Sequence, residues 1–128
     1  MLNIIGLAYR ANCLVYGIEQ VSEVVNTKKA RLIITTSDAN PKTIEKASSM
    51  PERCNALYST IPFTAEELGA ALGVETCGIA AFTDVGFSAS FAEKLKEQDA
   101  AQFEMLAIEL DRQNIRAKKR KAKKLRNQ

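Results

Sequence analysis

The residues that most often carry catalysis are scarce in this chain. No histidine occurs, so the commonest general base and the commonest metal ligand are both missing. The three cysteines, Cys13, Cys54 and Cys77, are odd in number, widely spaced and without a Cys-x-x-Cys pair, which argues against a disulfide framework or a zinc site. Cys13 and Cys77 have no His or Cys partner near them in sequence and read as buried or incidental thiols, not nucleophiles. Asp38 and Asp84 follow strand-like segments, where an enzyme's carboxylates could sit. Each also suits a helix N-terminus, and capping is the preferred reading. Gly69 and Gly73 belong to no phosphate-binding fingerprint. The chemistry that remains is that of binding.

Charge says what would be bound. From Arg116 to Arg126 there are eight Lys or Arg and no acid: Arg116, Lys118, Lys119, Arg120, Lys121, Lys123, Lys124 and Arg126. The first 115 residues carry ten basic and fifteen acidic residues, a net charge of −5, so the overall +3 conceals an acidic body and a basic tail. Such a block suits a polyanion, nucleic acid being the usual one, although a merely solubilising tail has the same composition.

The elements that must position these residues follow from the hydrophobic pattern. At 128 residues and 46% hydrophobic content, one globular domain is expected. Leu2, Ile5, Leu7 and Ala8 fit one side of a short helix ending near Asn12, not a signal peptide, because no basic leader precedes them. Leu14-Val15-Tyr16 is a strand, and Gly17 introduces a helix with Ile18, Val21, Val24 and Val25 inward and Glu19, Gln20, Glu23 and Asn26 outward. Leu32 to Thr35 is an apolar, β-branched run typical of a strand buried on both faces. A turn at Ser37 to Pro41 leads into a helix expected over Lys42 to Arg53, then a strand over Ala56 to Ser59. Thr64 and Glu67 form a capping-box pair for a helix ending near Gly73, and Ile79 to Phe82 is a further strand. After Gly86 the pattern stays helical, with Phe87, Phe91 and Leu95 four apart. A stripe of Phe103, Leu106 and Leu110 could then pack on the body, pair with a second chain or meet another partner. The division between body (1–98) and helical extension with basic tail (99–128) is set near Gln98. No stretch approaches the roughly 18–20 apolar residues that cross a bilayer, and a cytoplasmic protein is expected.

The order and spacing of several segments resemble the L-seven-Ae group of kink-turn-binding ribosomal proteins, and within it the short bacterial, YlxQ-like branch. They are Gly6-Leu7-Ala8 with Arg10-Ala11, Leu14-Val15 with Gly17, Lys29 to Ile33, Asp38, Glu66 to Ala71 with Gly73, and Thr83-Asp84 with Gly86-Phe87. The resemblance spans Leu2 to about Leu95. It implies an α/β fold, a three-layer α/β/α sandwich on a mixed four-stranded sheet, to which the sequence adds a long basic C-terminal helical extension.

It also implies an RNA site. In the family a Gly-x-Asn-Glu-x-x-Lys helix start enters the groove of a kink-turn, and a loop of Ile-Glu-Val type meets the extruded nucleotide. Carried over by position, Gly17 matches the glycine and Ile18 the variable residue. Glu19 stands for Asn, Gln20 for Glu and Glu23 for Lys. Val74-Glu75-Thr76 matches the second loop, and Lys28-Lys29 stands where this branch often has Gly-Lys. Gln20 keeps a donor and an acceptor for base edges, whereas Glu19 and Glu23 would face RNA with negative charge and remove a phosphate contact. The expected function is therefore non-catalytic binding of structured RNA, kink-turn-like or ribosomal, with ribosomal proteins as further candidate partners. No cofactor, metal, membrane or small-molecule substrate is expected. The basic tail would supply sequence-blind affinity. The alternative is a protein-interaction adaptor that keeps the fold, has lost kink-turn recognition and works through its C-terminal helix.

Overall fold

The computed structural model describes residues 1–126. In chain order the elements are α1 (Leu2–Arg10), β1 (Leu14–Tyr16), α2 (Ile18–Asn26), β2 (Leu32–Thr35), α3 (Pro41–Ser49), a 3-10 turn (Met50–Arg53), β3 (Leu57–Thr60), α4 (Ala65–Leu72), β4 (Ile79–Phe82), α5 (Val85–Gln98) and α6 (Ala100–Arg126). The sheet has four strands in the order β1-β4-β2-β3, with β2 and β3 parallel and the other two pairings antiparallel.

Strand alternation divides the core in two. Leu14, Leu32, Ile34, Ala80 and Phe82 face α1, α4, α5 and α6. Val15, Ile33, Ile79 and Ala81 face α2, α3 and the 3-10 turn. Both central strands, β2 and β4, are buried at every position, which is why their sequences are apolar runs instead of alternating ones. The result is the expected three-layer sandwich on a mixed sheet, followed by a long C-terminal helix.

Three local expectations are corrected. The helix expected over Lys42 to Arg53 is α-helical only to Ser49, and Met50–Arg53 tightens into a 3-10 turn. Pro51 is the reason: it has no N–H for the ladder, and its ring collides with the carbonyl four residues earlier. The strand expected over Ala56 to Ser59 lies one residue later, where Leu57 to Thr60 pair in register with Leu32 to Thr35. The last helical segment of the body starts at Val85, because the Asp84 carboxylate accepts from Phe87 N at 2.9 Å and caps it ahead of Gly86.

The Phe103 stripe packs on the body. Phe103, Ala107 and Leu110 are buried in the same cluster as Phe91 and Leu95, so the body's core extends along α6 as far as Leu110. Met105, Ile108 and Ile115 lie exposed on the outward side of that helix.

Candidate nucleic-acid interface

Gly17 links β1 to α2 through a backbone with φ 88° and ψ 148°, a region that only glycine occupies without strain. Its N–H donates to Ile79 O at 3.1 Å, and no side chain caps the helix it starts. The first-turn amides of α2 are therefore left without a side-chain acceptor, and the positive end of the helix is open. Val21 and Val25 are fully buried, which fixes the helix rotation and turns Glu19, Gln20 and Glu23 outward, all exposed, while Ile18 is half-buried.

The second segment is hung from the end of α4. Gly73 adopts φ 80°, its N–H donates to Ala70 O at 3.3 Å, and Val74 N donates to Gly69 O at 2.8 Å, which together form a Schellman ending. The chain then lies across α4. A Cβ placed on Gly69 would sit 2.8 Å from both Glu75 O and Thr76 Cα, so glycine is required at position 69 by close backbone approach. Val74 is half-buried against the core, while Glu75 and Thr76 are exposed. Cys77 is buried behind them, with its thiol donating to Ile79 O at 3.1 Å. Burial raises this thiol above its ordinary value of 9.0, partly offset by hydrogen bonds from the backbone at Ile79 and Gly17. The Ile79 carbonyl, which accepts from both the Gly17 N–H and the Cys77 thiol, thus ties the loop to the Gly17 turn and makes the two segments neighbours.

Two features of this end were not expected from the sequence. Tyr9 and Tyr16 meet edge to face with ring centroids 5.4 Å apart, and Tyr16 ends β1 immediately before Gly17. Tyr16 resists ionisation, chiefly because of Tyr9 beside it. The alternation of β1 assigns Tyr16 to the face shared with Leu14, but nothing in the sequence brings Tyr9 to it. Thr36, immediately after β2, is fully buried with its hydroxyl unpaired among the described residues, near Gly78.

The other candidates lie elsewhere. Lys28 and Lys29 follow the far end of α2, about 13 Å along its axis from Gly17. Lys28 adopts φ 60°, the left-handed backbone that glycine favours, which explains why a glycine suits this position. The basic block is also remote. Its cations from Arg116 to Lys124 are exposed on α6, which passes Arg31, Thr83 and Val85 at the opposite end of the strands; the side chain of Arg126 lies outside the described residues. Arg31, which the sequence marked only within a longer matching segment, faces that block.

The two strand-following carboxylates are structural. Asp84 caps α5, and Asp38 Oδ1 accepts from Ala65 N at 2.8 Å, so it caps α4, while Asn40 caps the nearer α3. Among the described residues, neither forms an ion pair. Among the described residues no three His, Cys, Asp or Glu gather as metal ligands, and no helix is long and apolar enough to cross a membrane.

Comparison with known proteins agrees with this architecture. The model of the "Ribosomal protein L7Ae/L30e/S12e/Gadd45 family" matches residues 1–92. The RNA-binding protein YlxQ of Bacillus subtilis (strain 168) is 33% identical over 89 residues, covering 66% of this chain and 84% of the relative. A solved protein of unknown function from Bacillus halodurans superposes with a TM-score of 0.67 at 29% identity, covering 74% of this chain and 95% of the other. The 15.5 kD RNA-binding protein of Giardia lamblia superposes with a TM-score of 0.62 over 75% of this chain and 84% of its own, and at 22% identity it attests the fold alone. With a match that runs from the first residue through most of α5, this chain belongs to the ribosomal protein L7Ae/L30e/S12e/Gadd45 family.

Proposed function

We propose that this chain binds structured RNA, kink-turn-like or ribosomal, without catalysis, and that the RNA contacts the Gly17 end of the sheet. The observation that carries the reading is the apposition of the uncapped α2 start and the Val74–Thr76 loop, joined through Cys77 and Ile79. Family membership and the relative described as RNA-binding support it.

The chemistry of the two segments is complementary. Open amides at a helix start donate to phosphate oxygens, while Gln20 can both donate to and accept from a base edge. Glu19 and Glu23 accept hydrogen bonds from exposed amino groups of bases, which are legible in RNA only where the duplex is broken. They also repel phosphate, so this end is suited to choosing an RNA shape more than to holding it tightly. Glu75 and Thr76 would meet a nucleotide turned out of the stack, with Val74 as the apolar contact. In this reading the protein acts in the cytoplasm, in association with the ribosome or its RNA.

The test is a binding titration with a kink-turn RNA and a plain duplex of equal length at moderate salt. The kink-turn should bind at least about tenfold more tightly, the discrimination that one or two base-edge contacts supply. Equal affinity for both would contradict shape recognition. One observation favours a second reading, that of a protein adaptor: Met105, Ile108 and Ile115 line the outward side of α6 and are 44–76% exposed. That reading requires the preference for the kink-turn over the duplex to be absent.

A further inference from the structure

The Gly17 end is acidic, yet the chain as a whole is basic, and the fold places the excess cations at one location. Where α6 passes the opposite end of the sheet, two adjoining hollows of about 360 and 380 Å³ share Arg31, Val85 and Ala117 in their walls. Arg116 and Arg120 border the first, and Lys118 and Lys121 border the second. Helical spacing explains this arrangement. Residues 116 and 120 lie on one side of Ala117 and residues 118 and 121 on the other, so the helix presents two cationic rims with a small residue between them. Arg31 stands across from both, held at the start of β2 by its backbone N–H to Phe82 O at 2.8 Å.

Five cations line this trough against two acids, Asp84 and Glu109. Both acids are already engaged: Asp84 caps α5, and Glu109 lies 3.5 Å from the Arg112 guanidinium and accepts from Gln113. None of the five cations forms an ion pair among the described residues. Lys28 and Lys29 stand beside it, since the Arg31 guanidinium donates to Lys28 O at 3.4 Å.

From this geometry we infer a second nucleic-acid site: the trough between Arg31 and residues 116–121 of α6 holds the phosphate backbone of an RNA strand. The inference rests on the RNA reading given above and assigns it a second point of contact, on the far side of the sheet from Gly17. A strand laid in the trough meets cations on both rims, with Arg116 and Arg120 about 6 Å apart along the helix axis. The five cations outnumber the neutral polar side chains of the lining, Asn55, Thr83, Gln113 and Asn114, so phosphate contacts dominate and the binding is sensitive to salt. The division of labour is spatial. The acidic end selects, and the basic trough holds.

Arg31 makes the idea testable, because it lies outside the tail. Binding of a fluorescent kink-turn RNA is titrated at roughly 50 and 200 mM salt with the full chain. Arg31→Ala should weaken binding by about fivefold and lower the salt slope by about one, while the preference for the kink-turn over duplex is kept. Arg116→Glu with Arg120→Glu should cost several times more than Lys119→Glu with Lys123→Glu, an equal charge change on α6 at residues that do not line the trough. Thermal melts of each variant, with Arg31→Lys retaining most of the binding, separate a lost contact from a lost fold. If Arg31→Ala binds as the unaltered chain does, or if the two double variants are equally impaired, the trough is overturned and RNA binding stands. A Glu-rich peptide that binds with the same Arg31 dependence while RNA does not would overturn it in favour of an acidic protein segment. Absence of any RNA binding by the unaltered chain overturns the RNA reading and the trough together.

Discussion

Two buried residues near Gly17 show how local chemistry shapes the proposed site. The Thr36 hydroxyl is fully buried without a partner, an arrangement that forfeits its hydration and gains no protein hydrogen bond. Replacing it with a group of the same shape removes that cost. Thr36→Val should leave stability unchanged or raise it by about 1 kcal/mol in a denaturant titration. A loss of that size would mean that the hydroxyl has a partner in solution. Cys77 gives the opposite kind of signature. Its thiol is raised above 9.0, so the folded state holds the proton more tightly than the unfolded chain does. The resulting stabilisation is complete below that value and is lost as pH rises from it through the folded value. Cys77→Ala should flatten the decline in stability expected of the native chain above pH 9.0, as read from melts across the alkaline range. An unchanged slope would place the cause elsewhere.

At the scale of elements, the Val74–Thr76 loop depends on the helix beneath it. Gly69 leaves room for Glu75 and Thr76 to cross α4, and an added Cβ would sit 2.8 Å from their backbone. Gly69→Ala should destabilise the fold by about 1–3 kcal/mol, the usual range for overpacking, and should reduce discrimination between kinked and plain RNA by displacing the loop. Circular dichroism melts read the first effect and the paired RNA titration the second. Much of this architecture was legible in the sequence. The apolar runs at Leu32–Thr35 and Ile79–Phe82 marked strands covered on both faces, and Thr64 with Glu67 marked the start of α4. Pro51 lies within the apolar pattern that continues past Ser49, and its missing N–H, not that pattern, ends the α-helix. β3 slipped by one residue because its ends are set by pairing with β2, which local pattern does not encode. The candidate RNA segments could be located through Gly17 and Val74–Thr76, since both follow chain order. Asp38 could not be assigned in that way: it caps a helix that begins 27 residues later. Arg31 and the tail were each visible as charge, but only the return of α6 across the sheet brings them together.

The whole molecule is polarised along its strands. Glu19 and Glu75 stand at the Gly17 end, Glu23 lies in the last turn of α2, and Lys28, Lys29, Arg31 and the α6 cations stand at the other end. In the proposed reading, this separation lets the chain bind RNA although Glu23 stands where the family has a lysine. It also sets where the tail can be removed. A cut at Gln98 would strip Phe103, Ala107 and Leu110 from the core and would test folding, whereas a cut after Ile115 removes the basic block and leaves those residues in place. The most direct measurement is therefore the affinity of residues 1–115 for a kink-turn RNA and for a duplex of equal length, at low and moderate salt. The expected result is weaker binding to both RNAs and a flatter salt dependence than the full chain shows, with the preference for the kink-turn preserved. Loss of all discrimination in a folded 1–115 protein would contradict recognition at the Gly17 end.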